Sequence, residues 1–556
     1  MPRMTGGRFI AETFQAYGIT HVFFMPVIIQ QALLEMERLG IRRIMTHGEK
    51  AAAYMADGYA RISKRVGVCM SQSVGAANLA AGLQDPFLAS SPVMAITGRR
   101  PQTDQHRHAY QEIDHTEPFN AVTKYNVLVN SAEQLPEYLR QGFRAATSGT
   151  PGPVHLDFEG TTGATIAGAE ADLSVMVDEP FAMVPPFRPE PSMELVRQAA
   201  QVISQARRPV IIAGGGVVAS GAQREVVELA EMLSIPVATS LNAKGTIPEN
   251  HPLYVGVCGN YSRWCANRVV SEADLVIYLG SSTGSMVTNE WTVPAPGTPI
   301  VQIDINAAEL GRSYPAQAAL QGDAKASIRK LIEAMEPLGP RTEWVNRTRQ
   351  LVNDWQDEVA PHVNSDTVPM RPERLCKELS DFLPSDSILV SDTGHAGIWT
   401  STMLDLNHPD QSYIRCAGSL GWSFPAAMGA KCAAPERPVL CFTGDGGFWY
   451  HLTELETALR YGINTVTVVN NNRSLNQEKR GNELTYGGQT AGSDELWMLS
   501  DVDFSKVAES MGCFGIRVER PSELQGALEQ AFASGKPAVV DVVTDIAGIA
   551  PRAWSP

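Results

Sequence analysis

The sequence predicts an α/β protein of three domains, each built on a doubly wound parallel sheet. Short apolar runs rich in β-branched residues alternate with helical patterns along most of the chain. Several of these runs end directly in glycine turns. The proline-rich residues 179–191 and the segment 359–372 divide the chain into predicted domains of residues 1–165, 192–335 and 373–545. The length of 556 residues suits about three or four domains.

Composition and charge exclude several classes of function. The formal net charge is −15, and an acidic surface does not suit binding to nucleic-acid phosphates. The eight cysteines are scattered without a Cys-x-x-Cys pair, so neither a zinc knuckle nor a disulfide framework is expected. The first residues lack the apolar region of a signal peptide, and no apolar run approaches transmembrane length. We therefore expect a cytoplasmic protein with no nucleic-acid or membrane partner.

The first predicted domain places an acid at a strand-to-helix junction. An apolar strand at 43–46 is followed by a helix of small residues at 51–59, and Glu49 lies between them. An acid at the start of a helix complements the helix dipole, so a purely structural role is one hypothesis for Glu49.

The predicted central domain contains strands at 210–213, 275–279 and 300–303. The first of them enters the triple glycine 214–216, which could contact a dinucleotide phosphate. The glycines lack the Gly-x-Gly-x-x-Gly spacing, so this signal for a nucleotide site is weak.

The third predicted domain contains a β-α-β unit with polar residues at both strand ends. A strand at 438–443 runs into Gly444-Asp445-Gly446-Gly447, and a strand at 465–469 ends in three asparagines at 470–472. Carboxyl ends of parallel strands line the ligand crevice of such sheets. Carboxylate and amide oxygens suit Mg²⁺. Taken singly, each motif could equally be an ordinary turn or strand end.

The ordered pair of motifs is more specific than either motif alone. Gly-Asp-Gly at 444–446 followed, after residues 447–470, by Asn-Asn resembles the thiamine diphosphate (ThDP) motif of ThDP-dependent enzymes. The resemblance implies that the side chains of Asp445 and Asn472 and the backbone carbonyl of Ser474 bind Mg²⁺. The cofactor diphosphate and a water would complete its octahedral coordination.

Further segments resemble the acetolactate synthase-like ThDP superfamily in the same order along the chain. They are residues 49–61, 75–79, 110–112 and 151–154. The resemblance implies that Glu49 and Gln111 are catalytic, with Glu49 hydrogen-bonded to the cofactor pyrimidine, and that Leu420 props the cofactor in a bent shape. The alternative for Leu420 is a place in the core. The implied cofactor contacts are Asn78, Gly394, His395, Ala396, Gly418, Ser419, Leu420, Gly444, Gly446 and Gly447.

The same resemblance sets the expected domain roles and assembly. It implies a pyrimidine-binding first domain, a Rossmann-like central domain and a diphosphate-binding third domain. It also implies a homodimer or dimer of dimers with active sites at the subunit interface. Flavin-binding relatives carry arginines where this chain has Ser282 and Met286, so ThDP and Mg²⁺ are expected without FAD.

The expected reaction cleaves or forms a carbon–carbon bond next to a carbonyl, by decarboxylation, carboligation or both, with a 2-oxo acid as substrate. An alternative is a 2-hydroxyacyl-CoA lyase or oxalyl-CoA decarboxylase-like enzyme. Pro26-Val27 and Arg460-Tyr461 favour this alternative, whereas the short segment 544–556 after the last predicted strand argues against CoA. A more distant alternative is a non-catalytic ThDP-binding subunit, which the presence of Glu49, Asp445 and Asn472 disfavours.

Departures from the family locate a candidate substrate pocket. Acetolactate synthases have Pro-Gly-Gly-Ala where residues 26–29 are Pro-Val-Ile-Ile, and an apolar segment where this chain is polar. Either the substrate is polar, or the polar segment is a solvated helix face. The predicted substrate residues are Val27, Ile28, Asn476, Gln477 and Glu478.

Overall fold

The computed structural model describes residues 2–336, 339–488, 490 and 492–556. Within these residues the chain forms three six-stranded sheets in which all paired strands are parallel. Helices cover the sheets, which confirms the predicted α/β class with three doubly wound domains.

The first domain contains strands β1 to β8 and helices α1 to α7. The strands are β1 Arg3–Thr5, β2 His21–Phe24, β3 Arg42–Met45, β4 Gly67–Ser71, β5 Val93–Arg99, β6 Tyr125–Val129, β7 Val154–Glu159 and β8 Glu170–Asp172. The helices are α1 Gly6–Ala16, α2 Gln30–Arg38, α3 Glu49–Ser63, α4 Ala76–Leu88, α5 Thr116–Asn120, α6 Leu135–Thr147 and α7 Ala164–Gly168. The sheet order is β3-β2-β4-β5-β7-β6, and β1 pairs with β8 in a separate antiparallel ribbon.

The central domain follows with sheet order β11-β10-β9-β12-β13-β14, the strand order of a Rossmann fold. The strands are β9 Pro209–Ala213, β10 Val237–Thr239, β11 Tyr254–Val257, β12 Leu275–Leu279, β13 Ile300–Asp304 and β14 Ala318–Gln321. The helices are α8 Met193–Gln205, α9 Gly215–Ser220, α10 Gln223–Leu233, α11 Trp264–Glu272, α12 Ser285–Thr288, α13 Ala324–Ala334 and α14 Thr342–Val363.

The third domain repeats the strand order of the first, as β16-β15-β17-β18-β20-β19. The strands are β15 Ile388–Ser391, β16 Ser412–Arg415, β17 Val439–Gly444, β18 Val466–Asn471, β19 Phe514–Val518 and β20 Ala538–Val543. The helices are α15 Pro372–Phe382, α16 His395–Thr402, α17 Ser423–Ala433, α18 Asp445–Trp449, α19 Glu454–Tyr461, α20 Asn476–Tyr486, α21 Phe504–Ser510 and α22 Pro521–Ala533.

The first and third domains share a hydrophobic core inside one chain. Helices α3 and α17 approach so closely that a Cβ atom at Gly58 would collide with the carbonyl of Ala426, and one at Gly429 with that of Met55. The small residues that predicted helix α3 therefore also permit this packing. Because α3 begins at Glu49, the contact fixes the direction of the helix that carries the predicted catalytic acid.

In the part of the chain that the structure describes, no helix is long and apolar enough to cross a membrane.

Candidate active site

The two polar strand ends of the third domain lie side by side. Strands β17 and β18 are parallel neighbours, and Gly444 at the end of β17 pairs with Asn470. Helix α18 begins at Asp445 itself, and Asn472 directly follows β18. The carboxylate and the carboxamides therefore meet at one sheet edge, as the sequence predicts.

Asp445 is a buried carboxyl at this edge whose pKa is raised. Its side chain is only 3% exposed, and the described residues place no basic side chain in an ion pair with it. Its Oδ1 accepts from the Gly446 N–H at 2.7 Å and its Oδ2 from the Ser474 N–H at 3.1 Å. Burial raises the pKa of the Asp445 carboxyl to about 6. A bound cation would favour the ionised form of this carboxyl.

The other two predicted metal ligands lie against Asp445. Ser474 donates its backbone N–H to Asp445 and its hydroxyl to the Asn472 side-chain oxygen, at 2.8 Å. In the described residues no three His, Cys, Asp or Glu side chains are grouped to hold a metal. A metal here would thus depend on amide, carbonyl and cofactor oxygens beside one carboxylate, which is the donor set of Mg²⁺ sites that bind phosphates.

The predicted cofactor glycines differ in their surroundings: Gly446 packs against Leu475 and Gly447 against Thr443, whereas others border open space. A Cβ atom at Gly418 or Gly444 would meet no atom within 4 Å, so both backbones border open space. Gly394 has φ +64° and precedes helix α16, whose N-terminal N–H groups suit an anion. His395 begins that helix, and its Nδ1 is buried without a hydrogen-bond partner among the described residues. Burial lowers the His395 pKa to about 4, so its ring is neutral near pH 7.

The first domain brings together three of the predicted catalytic and cofactor residues. The Glu49 carboxylate accepts from the Asn78 amide at 3.2 Å and lies against Gly75, where any side chain would collide with it. Gln111 has φ +59°, and its side-chain oxygen is buried without a described partner. Its backbone oxygen accepts from Ser73 at 2.7 Å, which tethers the Gln111 loop to the turn preceding Asn78.

Within one chain, no described hydrogen bond or ion pair joins the Glu49 group to the Asp445 group. Among the described residues, the two groups therefore have no direct polar contact with each other.

Comparison with known proteins covers nearly the whole chain. Three family models for enzymes of thiamine pyrophosphate (TPP, a synonym of ThDP) match the chain. They are the N-terminal TPP binding domain at residues 4–117, the central domain at 196–331 and the C-terminal TPP binding domain at 392–542. A probable acetolactate synthase large subunit of Methanocaldococcus jannaschii is 34% identical, covering 99% of this chain and 93% of that protein. The chain belongs to the acetolactate synthase-like family of ThDP-dependent enzymes.

Two further relatives of this ThDP enzyme align with it over almost their whole length. The acetolactate synthase isozyme 1 large subunit of Escherichia coli K12 is 31% identical over 98% of this chain and 94% of its own. A putative thiamine pyrophosphate-containing protein, YdaP, of Bacillus subtilis is 30% identical over 98% and 92%. The three matched models correspond to the three parallel sheets.

The predicted substrate residues of this ThDP enzyme divide into exposed and buried ones. Val27 is exposed, whereas Ile28 is fully buried in the first-domain core, so only Val27 of this pair presents surface. Asn476 is also buried, because its amide donates to the carbonyls of Ile546 and Gly548.

Gln477 and Glu478 are exposed on the first turn of α20, which is also what a solvated helix face would show. The Gln477 side-chain oxygen lies 3.0 Å from the position a Cβ atom would take at Gly394. Gln477 is therefore the polar substrate candidate that contacts a predicted cofactor turn.

A cavity of about 810 Å³ lies where the three domains meet. Its lining includes Gly215 and Gly216 of the glycine turn, Ser282, Met286 and Asp304. Burial raises the pKa of the Asp304 carboxyl to about 6. Ser282 and Met286 thus face this cavity, at the positions where flavin-binding relatives are expected to carry arginines.

Two buried carboxylates of the site were not predicted from the sequence. Asp392 follows strand β15 and accepts from the backbone N–H groups of Thr393 and Gly421. An aspartate between an apolar strand and a glycine turn is the signal that could have found it. Asp85 lies within helix α4 and contacts the loop around Gly418, and nothing in its local sequence marks it.

Proposed function

We propose that this protein is a Mg²⁺- and ThDP-dependent enzyme that joins or cleaves a carbon–carbon bond next to a carbonyl, with a small 2-oxo acid as donor. The main support for this proposal is the environment of Asp445. This buried carboxylate has no ion-pair partner among the described residues and lies next to Asn472 and Ser474. The names of the acetolactate synthase relatives support carboligation, with pyruvate as the first donor to test.

The chain's own residues divide the work between binding and proton control. Asp445, Asn472 and the Ser474 carbonyl would hold Mg²⁺, while the turns at Gly394 and Gly444 would hold the diphosphate and the segment 418–420 would support the bent cofactor. When bound, ThDP supplies a nucleophilic carbon and the electron sink for a departing carbon dioxide.

Glu49 would hydrogen-bond the cofactor pyrimidine and govern its protonation. The Asn78 amide, 3.2 Å from the Glu49 carboxylate, holds that side chain in place. The unpartnered amide oxygen of Gln111 is available for a second polar contact with cofactor or substrate. These roles follow the family resemblance and the proximity of the groups.

The assembly belongs to the same proposal. The Glu49 and Asp445 groups have no described polar contact within one chain, and each offers half of a site. We therefore assign the complete site to the interface between two copies, in a homodimer or dimer of dimers.

A substrate panel tests the reaction class. Purified protein is stripped with a chelator, reconstituted with ThDP and Mg²⁺, and assayed with pyruvate, benzoylformate, oxalyl-CoA and a 2-hydroxyacyl-CoA. We expect carbon dioxide release and a carboligation product from a 2-oxo acid, only when both ThDP and Mg²⁺ are present. Turnover of the CoA thioesters alone would replace this proposal with the lyase alternative.

A further inference from the structure

The loop of residues 416–423 in the third domain is held by aspartates on both sides. It connects strand β16 to helix α17 and carries Gly418, Ser419 and Leu420. Among the described residues, the N–H groups at 417, 418, 419 and 421 have no backbone partner. They need side-chain acceptors, because buried N–H groups are costly to leave unpaired.

Asp85 of the first domain supplies partners on one side. Its carboxylate accepts from the N–H groups of Ala417, Gly418 and Ser419 at 2.9 to 3.1 Å. Asp85 is fully buried, and Arg61 on helix α3 donates to its Oδ1 at 3.0 Å, the oxygen that also accepts from the Ala417 N–H. Three backbone donors, the Cys416 thiol and one guanidinium therefore satisfy an otherwise costly buried charge.

Asp392 of the third domain supplies partners on the other side. It is also fully buried and accepts from the Gly421 N–H at 3.1 Å and from the Ser423 hydroxyl at 2.6 Å. Between these two sets of contacts lies Leu420, which remains partly exposed. The loop is thus fixed immediately before and after the residue expected to prop the cofactor.

We propose that Asp85 is a positioning residue for the cofactor: through the N–H groups of residues 417–419 it holds Leu420 in place before ThDP binds. The proposal rests on the proposed function, because it takes the loop to contact ThDP. It goes further in assigning the ordering of a third-domain cofactor loop to an aspartate of the first domain in the same chain.

Asp57 provides a matched control. It lies on α3, is fully buried and shares Arg61 with Asp85, at 2.6 to 2.8 Å. It contacts the indole of Trp422 but accepts no backbone N–H from residues 417–419. Both Asp85→Asn and Asp57→Asn leave Arg61 one carboxylate partner. The two variants therefore differ chiefly in the contact with the backbone N–H groups of residues 417–419, which only Asp85 accepts.

The first measurement is hydrogen exchange of the loop in protein free of ThDP. In the wild type we expect slow exchange at 417–419 before any cofactor is added. Asp85→Asn should exchange there about 10- to 100-fold faster, since hydrogen bonds to a charged acceptor are lost. Asp57→Asn should stay near the wild type. Fast exchange in the free wild type, or equal effects of the two variants, would refute the proposal without requiring any variant to be active.

The second measurement is ThDP affinity by calorimetry in the presence of Mg²⁺, together with turnover. Asp85→Asn should bind ThDP about tenfold more weakly, because binding must now order the loop. Turnover at saturating ThDP should fall less than affinity, since bound cofactor restores the loop. Faster loop exchange with unchanged ThDP affinity would remove the positioning role. A wild type that binds no ThDP would instead contradict the proposed function, while the exchange rates would still show whether Asp85 holds the loop.

Discussion

Asp445→Asn should stabilise the cofactor-free protein against unfolding and abolish tight binding of ThDP with Mg²⁺. Burial raises the pKa of Asp445 from 3.8 to about 6, so the folded state holds its proton more tightly than the unfolded state. The wild-type carboxylate therefore destabilises the folded protein by about 3 kcal/mol at pH 8 and about half of that at pH 5, and the penalty disappears near pH 3. Asparagine carries no charge, so the variant lacks this pH-dependent cost of burying an ionised carboxylate.

Part of that gain is lost to hydrogen bonding. The two carboxylate oxygens accept from the N–H groups of Gly446 and Ser474, and an asparagine amide can accept only one of them. One unpaired buried donor costs about 1–3 kcal/mol at any pH. We therefore expect the free energy of unfolding of Asp445→Asn to exceed that of the wild type by about 0–2 kcal/mol at pH 8. At pH 5 this difference should be about 1.4 kcal/mol smaller than at pH 8.

The assay combines urea unfolding of the cofactor-free proteins at pH 5 and pH 8 with calorimetric titration of ThDP and Mg²⁺. Asp410→Asn, a change of an exposed aspartate in the same domain, serves as the control and should show neither effect. The reasoning fails if the stability difference between Asp445→Asn and wild type does not change with pH. It fails equally if Asp445→Asn binds ThDP with Mg²⁺ as tightly as the wild type.

Three further predictions concern the catalytic acid, the substrate pocket and the central domain. Glu49→Gln should bind ThDP normally by calorimetry while turnover falls about 10²–10⁴-fold, and near-normal turnover would leave Glu49 as a helix-end charge. Gln477→Met should raise kcat/KM for pyruvate relative to a hydroxylated 2-oxo acid, because a polar group left unpaired against an apolar ligand costs about 1–3 kcal/mol. An unchanged ratio would place Gln477 outside the pocket. Purified protein should show no flavin absorbance, because Ser282 and Met286 cannot make the charge-assisted contacts of arginines, and stoichiometric FAD would contradict this.

The sequence by itself determined the fold class and the candidate metal site. Both follow from local order in the chain. A strand, a Gly-Asp-Gly turn, a helix and a second strand are expected to form parallel neighbours, which brings Asp445 and Asn472 to one edge. The Asp445 contact with Ser474 spans only 29 residues. The place of Glu49 at the start of a helix was predictable from the strand before it, whereas its catalytic role was indicated only by the family resemblance and stays a prediction.

Only the tertiary structure decided which side chains are buried and what they contact there. Ile28 and Asn476 belong to a candidate pocket by sequence position, yet the surrounding core and the carbonyls at 546 and 548 enclose them. Asp85 contacts a loop 332 residues away, and an acid within a helical pattern is ordinarily expected to face solvent. Its role depends on the packing of two domains, because the partners that make its burial favourable are brought to it only by the complete fold.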